Sequence, residues 1–356
     1  MKILFFPYGC LEFTPDVLEK HPLGGTETGI VRLSSAFASL GHEVFVLSNY
    51  QDLNHNPAWI SFSQATARKD IDVLIAVRNW KALLAPINAK ARYLWIGDAY
   101  DSFHTWGLGD KRVEKSMDAL LTVSQWQAET LAQASGFALE KTCLLRNGLQ
   151  LSDFEGTEKR IRKRLIYSSA PQRGLIHLIS IFVALKRKHP DLELHVFCTS
   201  ALLARSFVDP QVQKDPYQEE VLSIVKQIPG CYVHGAVLQK QLAREFMKSA
   251  ILAYPTGFME TSCITAMEAQ AGGCAIVSSR LAALPETVGE AGILISGTPG
   301  TPAYHQQFVE AVDQLLVDDA LFSRLSNIGK QRAASFDWSE RAKGFLNYIK
   351  DTKGLT

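Results

Sequence analysis

The feature that most constrains the fold is a regular alternation of short apolar runs with longer amphipathic stretches. In the stretch Thr26–Leu40, for example, apolar side chains recur at helical spacing, at Ile30, Leu33 and Phe37. Uninterrupted apolar runs are typical of strands buried on both faces, which belong to parallel sheets covered by helices. The sequence therefore predicts doubly wound α/β architecture, with strands at Lys2–Tyr8, Glu43–Leu47, Val73–Val77, Tyr93–Ile96, Ala119–Val123, Leu165–Ser169, Leu192–Cys198, Tyr232–His234, Ile251–Tyr254, Ala275–Val277 and Ile293–Ile295.

The length and one break in the pattern indicate two domains. The chain has 356 residues, and single cores usually stop growing at about 250–300 residues. The pattern restarts near Leu165 after a polar stretch, Leu151–Lys163, which is the predicted linker. We expect a first domain over residues 1–158, a second over 159–336, and a terminal amphipathic helix over 337–356. Ligands of such sheets bind at the carboxyl ends of the strands, so we expect the site in a cleft between the domains.

Composition excludes several classes of protein. The net charge of +1 gives no electrostatic basis for binding nucleic acid. The six cysteines form no CxxC pair and have no histidine cluster beside them, which argues against zinc, iron–sulfur or disulfide frameworks. No signal peptide and no apolar run of about 20 residues is present, so we expect a cytoplasmic protein. The basic run Lys159–Arg164 is either a solvated turn or a contact with anionic lipid, which would make the protein membrane-peripheral.

The most informative segment is Tyr254–Val277, which follows the pattern strand, loop, helix, strand. Thr261 or Ser262 is placed to cap the helix, whose free N–H groups and dipole can hold a diphosphate. Glu260 precedes the helix, and Glu268 lies eight residues later, roughly 12 Å along a helix. Carboxylates accept hydrogen bonds from sugar hydroxyls. The alternative is two surface charges on an ordinary βα unit.

Two further loops carry groups suited to anions. Gly24 and Gly25 open the first helix and let the backbone approach a ligand closely. Arg173 stands between a predicted strand and helix, where its guanidinium can bind two phosphate oxygens at once. A flexible loop and an exposed arginine are the structural alternatives.

The Glu260–Glu268 segment resembles the Glu–seven residues–Glu signature of retaining glycosyltransferases of the GT-B fold, in particular family 4. The resemblance covers nearly the whole chain in order and implies two Rossmann-like domains facing each other across a cleft, with the terminal helix crossing back onto the first. It implies that Glu260 binds the hexose and Glu268 the ribose. The nucleotide-sugar contacts that it implies are Gly24, Gly25, Ser169, Arg173, Gly235, Val237, Glu260, Ser262, Cys263, Ile264 and Glu268.

One position departs from that family. Many members carry a histidine that contacts the transferring sugar, where this chain has Gly97 and Asp98. Asp98 or His104 could replace it, so the candidate catalytic residues are Asp98, Glu260 and His104. Asp98 would accept the acceptor's proton or stabilise positive charge on the sugar, or else it merely caps the loop. The DxD sequence at Asp70–Asp72 directly precedes a buried strand, so we expect no metal there and no cofactor.

These features predict a retaining glycosyltransferase that moves a hexose from a nucleotide-diphosphate sugar to a saccharide or lipid-linked acceptor. Family frequency favours a UDP-glucose-type donor over a GDP-sugar. The alternatives are a sugar-nucleotide epimerase, a phosphorylase of similar fold, or a catalytically idle sugar-nucleotide binding protein.

Overall fold

The chain forms two compact units, each built around its own parallel sheet. The computed structural model describes residues 1–10, 13–198 and 215–356. The first unit comprises Met1–Val17, Gly24–Gly148 and Asp337–Thr356. The second comprises Leu18–Leu23 and Leu149–Phe336. Among the described residues, no helix combines the length and the apolar character needed to cross a bilayer.

The first unit contains a parallel sheet with the order β3-β2-β1-β4-β5-β6-β7 among the described residues. Buried apolar side chains on both faces of β1 and β4 explain why these segments form central strands. A short strand, Ala58–Ile60, was not predicted. The strands are β1 Lys2–Pro7, β2 Glu43–Leu47, β3 Ala58–Ile60, β4 Ile71–Val77, β5 Ala89–Ile96, β6 Ala119–Thr122 and β7 Thr142–Leu144.

The second unit repeats this architecture with the order β10-β9-β8-β11-β12-β13. The larger apolar cluster among its described residues includes Tyr167, Phe182 and Tyr254. The prediction of two parallel α/β domains is confirmed. The strands are β8 Ile161–Tyr167, β9 Glu193–Val196, β10 Cys231–Val233, β11 Ser249–Tyr254, β12 Ala275–Ser279 and β13 Gly292–Ile295.

Helices connect most of these strands. The first long helix ends at Ser39, one residue before the predicted Leu40, and Gly41 beyond its C-cap has a φ of +89°. The described helices are α1 Val17–Lys20, α2 Gly25–Ser39, α3 Phe62–Ala67, α4 Lys111–Glu114, α5 Gln125–Ser135, α6 Leu175–Lys188, α7 Pro216–Lys226, α8 Gln239–Lys248, α9 Ile264–Ala271, α10 Leu284–Val288, α11 Pro302–Val317, α12 Asp319–Ala333 and α13 Trp338–Lys353.

The terminal helix α13 is part of the first unit. Its Phe345 contacts Phe37 of α2 and Tyr93 of β5, with ring centroids 6.2 and 5.1 Å apart. Trp338 lies against Gly148, where a Cβ would come within 2.6 Å of the indole. Glycine is therefore required at position 148 by this close approach and not by a positive φ.

The boundary between the units differs from the prediction. The chain passes into the second unit at Leu149 rather than at 159. Leu149 and Phe336 are buried in one small apolar cluster, against which Phe154 packs, so this part of the predicted linker belongs to the second core.

The basic run 159–164 is neither a solvated turn nor a free cationic patch. Strand β8 already begins at Ile161. Arg164 is buried and pairs with Glu245, and Arg160 donates to the carbonyl groups of Ser249 and Gly272. These contacts join β8 to neighbouring elements of the second unit, and Arg162 and Lys163 pair with Asp319 and Asp191.

Candidate functional site

The crevice of the second unit lies where its strand order reverses. Strand β8 has β9 on one side and β11 on the other, so their connections diverge at its carboxyl end. Ser169 follows β8, and Tyr254 ends β11, where its hydroxyl lies 3.2 Å from the Ser169 hydroxyl. This topology makes the Ser169–Tyr254 edge the expected ligand position of the unit.

Glu260 is held at this crevice by two donors. The Tyr254 hydroxyl donates to its Oε1 over 2.6 Å, and Nη1 of Arg173 donates to the same oxygen over 3.1 Å. The residue is only 7% exposed. Within the described part of the chain, Oε2 of Glu260 has no donor, so one carboxylate oxygen remains for a ligand hydroxyl.

Arg173 is less free than the sequence predicted. Besides pairing with Glu260, its guanidinium lies 4.0 Å from the centroid of the Phe258 ring. The backbone fixes the arginine as well. Gly174 follows with a φ of +119°, and a Cβ there would come within 2.3 Å of the carbonyl oxygen of Pro255. The side chain is therefore oriented in advance, but one of its nitrogens already serves the protein's own carboxylate.

The helix after Glu260 starts later than predicted. Helix α9 begins at Ile264, and its N-cap is Cys263, which has a φ of +57° and gives no side-chain capping bond. The expected cap by Thr261 or Ser262 is therefore wrong, and the carbonyl of Ser262 instead accepts a hydrogen bond from Thr287. An uncapped helix start leaves backbone donors for an anion.

Glu268 lies inside helix α9 and is buried, with 3% exposure. Because Glu260 precedes the helix, the distance expected along a single helix does not apply to this pair. Gln239 donates to the Glu268 carboxyl. Burial, with a smaller contribution from Asp153, raises the pKa of Glu268 to about 8. The ligand-free carboxyl is therefore mostly protonated at neutral pH.

The remaining predicted contacts of this unit lie in the loop after β10. Gly235 has a φ of +76°, which favours glycine, and Val237 packs partly buried against the core. The loop leads into α8, whose first residue is Gln239, the partner of Glu268. The segment that carries Gly235 and Val237 is thus joined to the buried carboxyl.

The first unit has its own crevice, between the carboxyl ends of β1 and β4. Arg78 follows β4 with a φ of +74°, a conformation that costs energy in a residue with a side chain. Its Nε lies 3.4 Å from Oδ2 of Asp98, and its Nη1 lies 4.0 Å from Oε1 of Glu27. Asp98, after β5, is therefore held by a cation from the neighbouring strand.

His104 lies near this group and is buried, with 6% exposure. Burial and the nearby Arg78 lower its pKa, and Asp98 opposes them, so the imidazole is neutral at pH 7. Within the described residues its Nδ1 has no hydrogen-bond partner. Burial and the Glu27 carboxylate raise the pKa of the Cys10 thiol to about 12. Asp98 is the more exposed candidate for contact with a substrate, with 20% of its side chain accessible.

The Gly24–Gly25 loop does open helix α2, as predicted. The buried Glu27 carboxylate lies against Gly24, since a Cβ on Gly24 would come within 2.9 Å of Oε2. The start of this helix therefore already has a carboxylate of the protein beside it, which weakens the case for binding a phosphate of the ligand there.

Asp70 and Asp72 have ordinary structural partners. Lys2 donates to both, through its side chain and its backbone, and Lys90 lies 2.6 Å from Asp72. Among the described residues, no three His, Cys, Asp or Glu side chains converge as a metal site.

The sequence analysis missed Arg78, Glu27, Tyr254 and Gln239. An arginine or tyrosine at the end of a buried strand was a usable signal for Arg78 and Tyr254. The other two are recognised only through partners that the fold brings to them.

The sequence profile of the family Glycosyl transferases group 1 matches residues 163–318, which include Arg173, Glu260 and Glu268. The matched residues all lie within the second unit. It is 27% identical over 236 residues to the MMP alpha-(1->4)-mannosyltransferase of Mycolicibacterium hassiacum, covering 65% of this chain and 54% of that one. It is 23% identical over 366 residues to the D-inositol 3-phosphate glycosyltransferase of Streptomyces bingchenggensis, covering 93% and 75%.

Solved structures show the same GT-B fold. Sucrose-phosphate synthase from Thermosynechococcus elongatus superposes with a TM-score of 0.72 at 15% identity, over 100% of both chains. Anabaena HepE in complex with UDP and glucose also superposes with a TM-score of 0.72, at 13% identity, over 99% of this chain and 100% of HepE. At such identities the likeness shows the fold alone.

Proposed function

We propose that this protein is a glycosyltransferase that moves a hexose from a UDP-sugar to a saccharide or lipid-linked acceptor, with retention of anomeric configuration. The observation that carries the proposal is the Tyr254–Glu260–Arg173 arrangement at the crevice of the second unit. It presents one carboxylate oxygen of Glu260 to a ligand beside a fixed cation. The UDP and glucose bound by HepE support a donor of this class.

In the reaction, the bond between the anomeric carbon and the diphosphate oxygen breaks, and the electron pair leaves with the nucleoside diphosphate. Glu260 would bind hexose hydroxyls as the ring gains positive charge. Arg173 and the uncapped start of α9 would stabilise the negative charge of the leaving group without reorganising. Because these groups supply positive charge, we propose that no divalent ion is needed.

The first unit would serve the acceptor. Asp98 is a carboxylate at the carboxyl end of β5, and Arg78 orients it. We assign to it the proton of the acceptor hydroxyl, whose oxygen forms the new bond to the anomeric carbon. His104 is buried and neutral, which suits a supporting role better than direct contact with the sugar.

The test is an assay of a panel of UDP- and GDP-sugars, each with and without saccharide acceptors. Release of nucleoside diphosphate and the mass of the product are measured. Glu260→Gln should lower turnover at least tenfold, about 1.4 kcal/mol of barrier. The matched control is Glu310→Gln, which changes an exposed carboxylate of α11. Conversion of the sugar nucleotide without acceptor would indicate an epimerase, and no turnover of any donor would indicate an idle binding protein.

A further inference from the structure

One polar cluster of the second unit has no part in the proposal above. Nε2 of His195 lies 3.2 Å from Oε2 of Glu193, and Nδ1 of His195 lies 2.9 Å from Nε2 of His234. The His234 ring also stacks on Phe197, with centroids 4.5 Å apart and planes 8° from parallel. We call Glu193, His195 and His234 the histidine relay.

The relay determines which nitrogen of His234 carries a proton. Burial and the nearby Arg164 lower the pKa of His195 to about 4, so its ring is neutral at pH 7. A carboxylate only accepts hydrogen bonds, so His195 donates Nε2–H to Glu193. The Nδ1 of His195 then has a lone pair and can only accept. His234 must therefore donate from Nε2.

The outer nitrogen of His234 is consequently an acceptor. Burial and Arg164 also lower the pKa of His234, with Glu245 opposing, so this ring is neutral as well. With its proton on Nε2, the Nδ1 of His234 carries a lone pair. Through His195, the Glu193 carboxylate thus fixes the Nδ1 of the exposed His234 ring as a hydrogen-bond acceptor.

This acceptor lies at the ligand-binding edge of the sheet. His234 directly follows β10, and its backbone N–H donates to Val196 of β9. In the strand order, β10 is two places from β8, which flanks the crevice with Glu260 and Arg173. Two strand spacings correspond to about 10 Å. The loop that follows His234 leads to Gln239, the partner of Glu268.

We infer that His234 reads the nucleobase of the donor by accepting its ring N–H, and that Glu193 and His195 enforce this choice. The inference rests on the proposed function. Uracil and guanine carry a proton on the ring nitrogen of their pairing edge, whereas cytosine and adenine carry a lone pair there. An acceptor in a fixed tautomer therefore selects UDP over CDP, or GDP over ADP. Within each of these pairs the base has a similar ring size and the ribose diphosphate is the same, so the comparison isolates the ring nitrogen.

The experiment is calorimetric binding of UDP, CDP, GDP and ADP to the wild type and to single variants. The wild type should prefer UDP to CDP by about tenfold, of the order of one hydrogen bond. His234→Phe keeps a ring on Phe197 but has no acceptor, and should reduce the preference to about twofold. His195→Phe removes the group that fixes the tautomer of His234, so it should also reduce the preference for UDP over CDP. His234→Asn restores an acceptor near the Nδ1 position and should recover most of the preference.

The matched control is His189→Phe, because His189 is also bound to a carboxylate, that of Asp313, at 2.7 Å in the same unit. It should leave the base preference unchanged. Nitrogen-15 chemical shifts of His234 provide a readout independent of affinity: a single Nε2–H tautomer in the wild type and a mixture in His195→Phe. The inference is overturned, without affecting the proposed function, if the ratio of UDP to CDP affinity is unchanged in both His234→Phe and His195→Phe. A mixture of His234 tautomers in the wild type would overturn it in the same way. Failure of the wild type to bind any of the four nucleotides overturns the proposed function too.

Discussion

Replacing Glu268 by glutamine should remove a pH dependence that the wild type shows both in stability and in nucleotide binding. The buried carboxyl has a pKa of about 8 in the folded chain, against an ordinary value of 4.5. The folded state therefore binds this proton more tightly than the unfolded state does. Its contribution to stability is full below pH 4.5, is lost as the pH rises to about 8, and changes no further above that.

The magnitude follows from the same pKa values. A rise from 4.5 to about 8 corresponds to about 5 kcal/mol of stability over that interval. Glu268→Gln, which resembles the protonated form, should lose less stability than the wild type between pH 5 and pH 8. Chemical denaturation at several pH values measures the difference.

Binding should be linked to the same proton. If the ribose hydroxyls donate to an ionised Glu268, the affinity of the wild type for UDP should rise by up to tenfold per pH unit between pH 7 and pH 8, then level off. Calorimetry in two buffers of different ionisation enthalpy should show release of about one proton at pH 7. Pyrophosphate, which has no ribose, is the control for titration of the phosphates. Equal pH slopes for UDP in the wild type and in Glu268→Gln would refute this reasoning.

Three further predictions concern the two crevices. Asp98→Asn should lower transfer more than tenfold with donor affinity roughly unchanged, and His104→Ala should cost less; the reverse order in steady-state assays would assign the acceptor proton to His104. Arg173→Lys should retain only part of the UDP affinity, because a lysine cannot both stack on Phe258 and reach two phosphate oxygens. If calorimetry gives Arg173→Ala the same UDP affinity as the wild type, the arginine serves only Glu260. Transfer should persist in excess EDTA, and a loss restored by manganese or magnesium would disprove metal independence.

The strand pattern predicted both sheets because continuous apolar runs need burial on both faces, which parallel sheets covered by helices provide. Residues whose roles depend on distant partners were harder. Arg164 looked like one of several surface cations, yet it is buried against Glu245. Helix α9 starts at Ile264 because Cys263 takes a left-handed conformation, which no capping rule for Thr261 or Ser262 anticipates.

In the candidate site, too, the sequence indicated some residues and not the partners that orient them. Glu260 and Glu268 stood out by spacing and by family resemblance, whereas the donors that orient them did not. Tyr254 reaches Glu260 from six residues away, but Gln239 reaches Glu268 from 29 residues away. The place of Arg78 at the end of a buried strand was a usable signal, but its positive φ and its pairing with Asp98 arise only once β4 and β5 lie side by side.

The return of α13 to the first unit has a consequence for synthesis on the ribosome. Most of the second unit, Leu149–Phe336, is one continuous stretch, so it can fold as soon as Phe336 has left the exit tunnel. The first unit begins with Met1, but its core is complete only when α13 has been synthesised. Trp338 of that helix packs on Gly148, and Phe345 packs on Phe37 and Tyr93. The portion translated first would thus be the last to acquire its complete core.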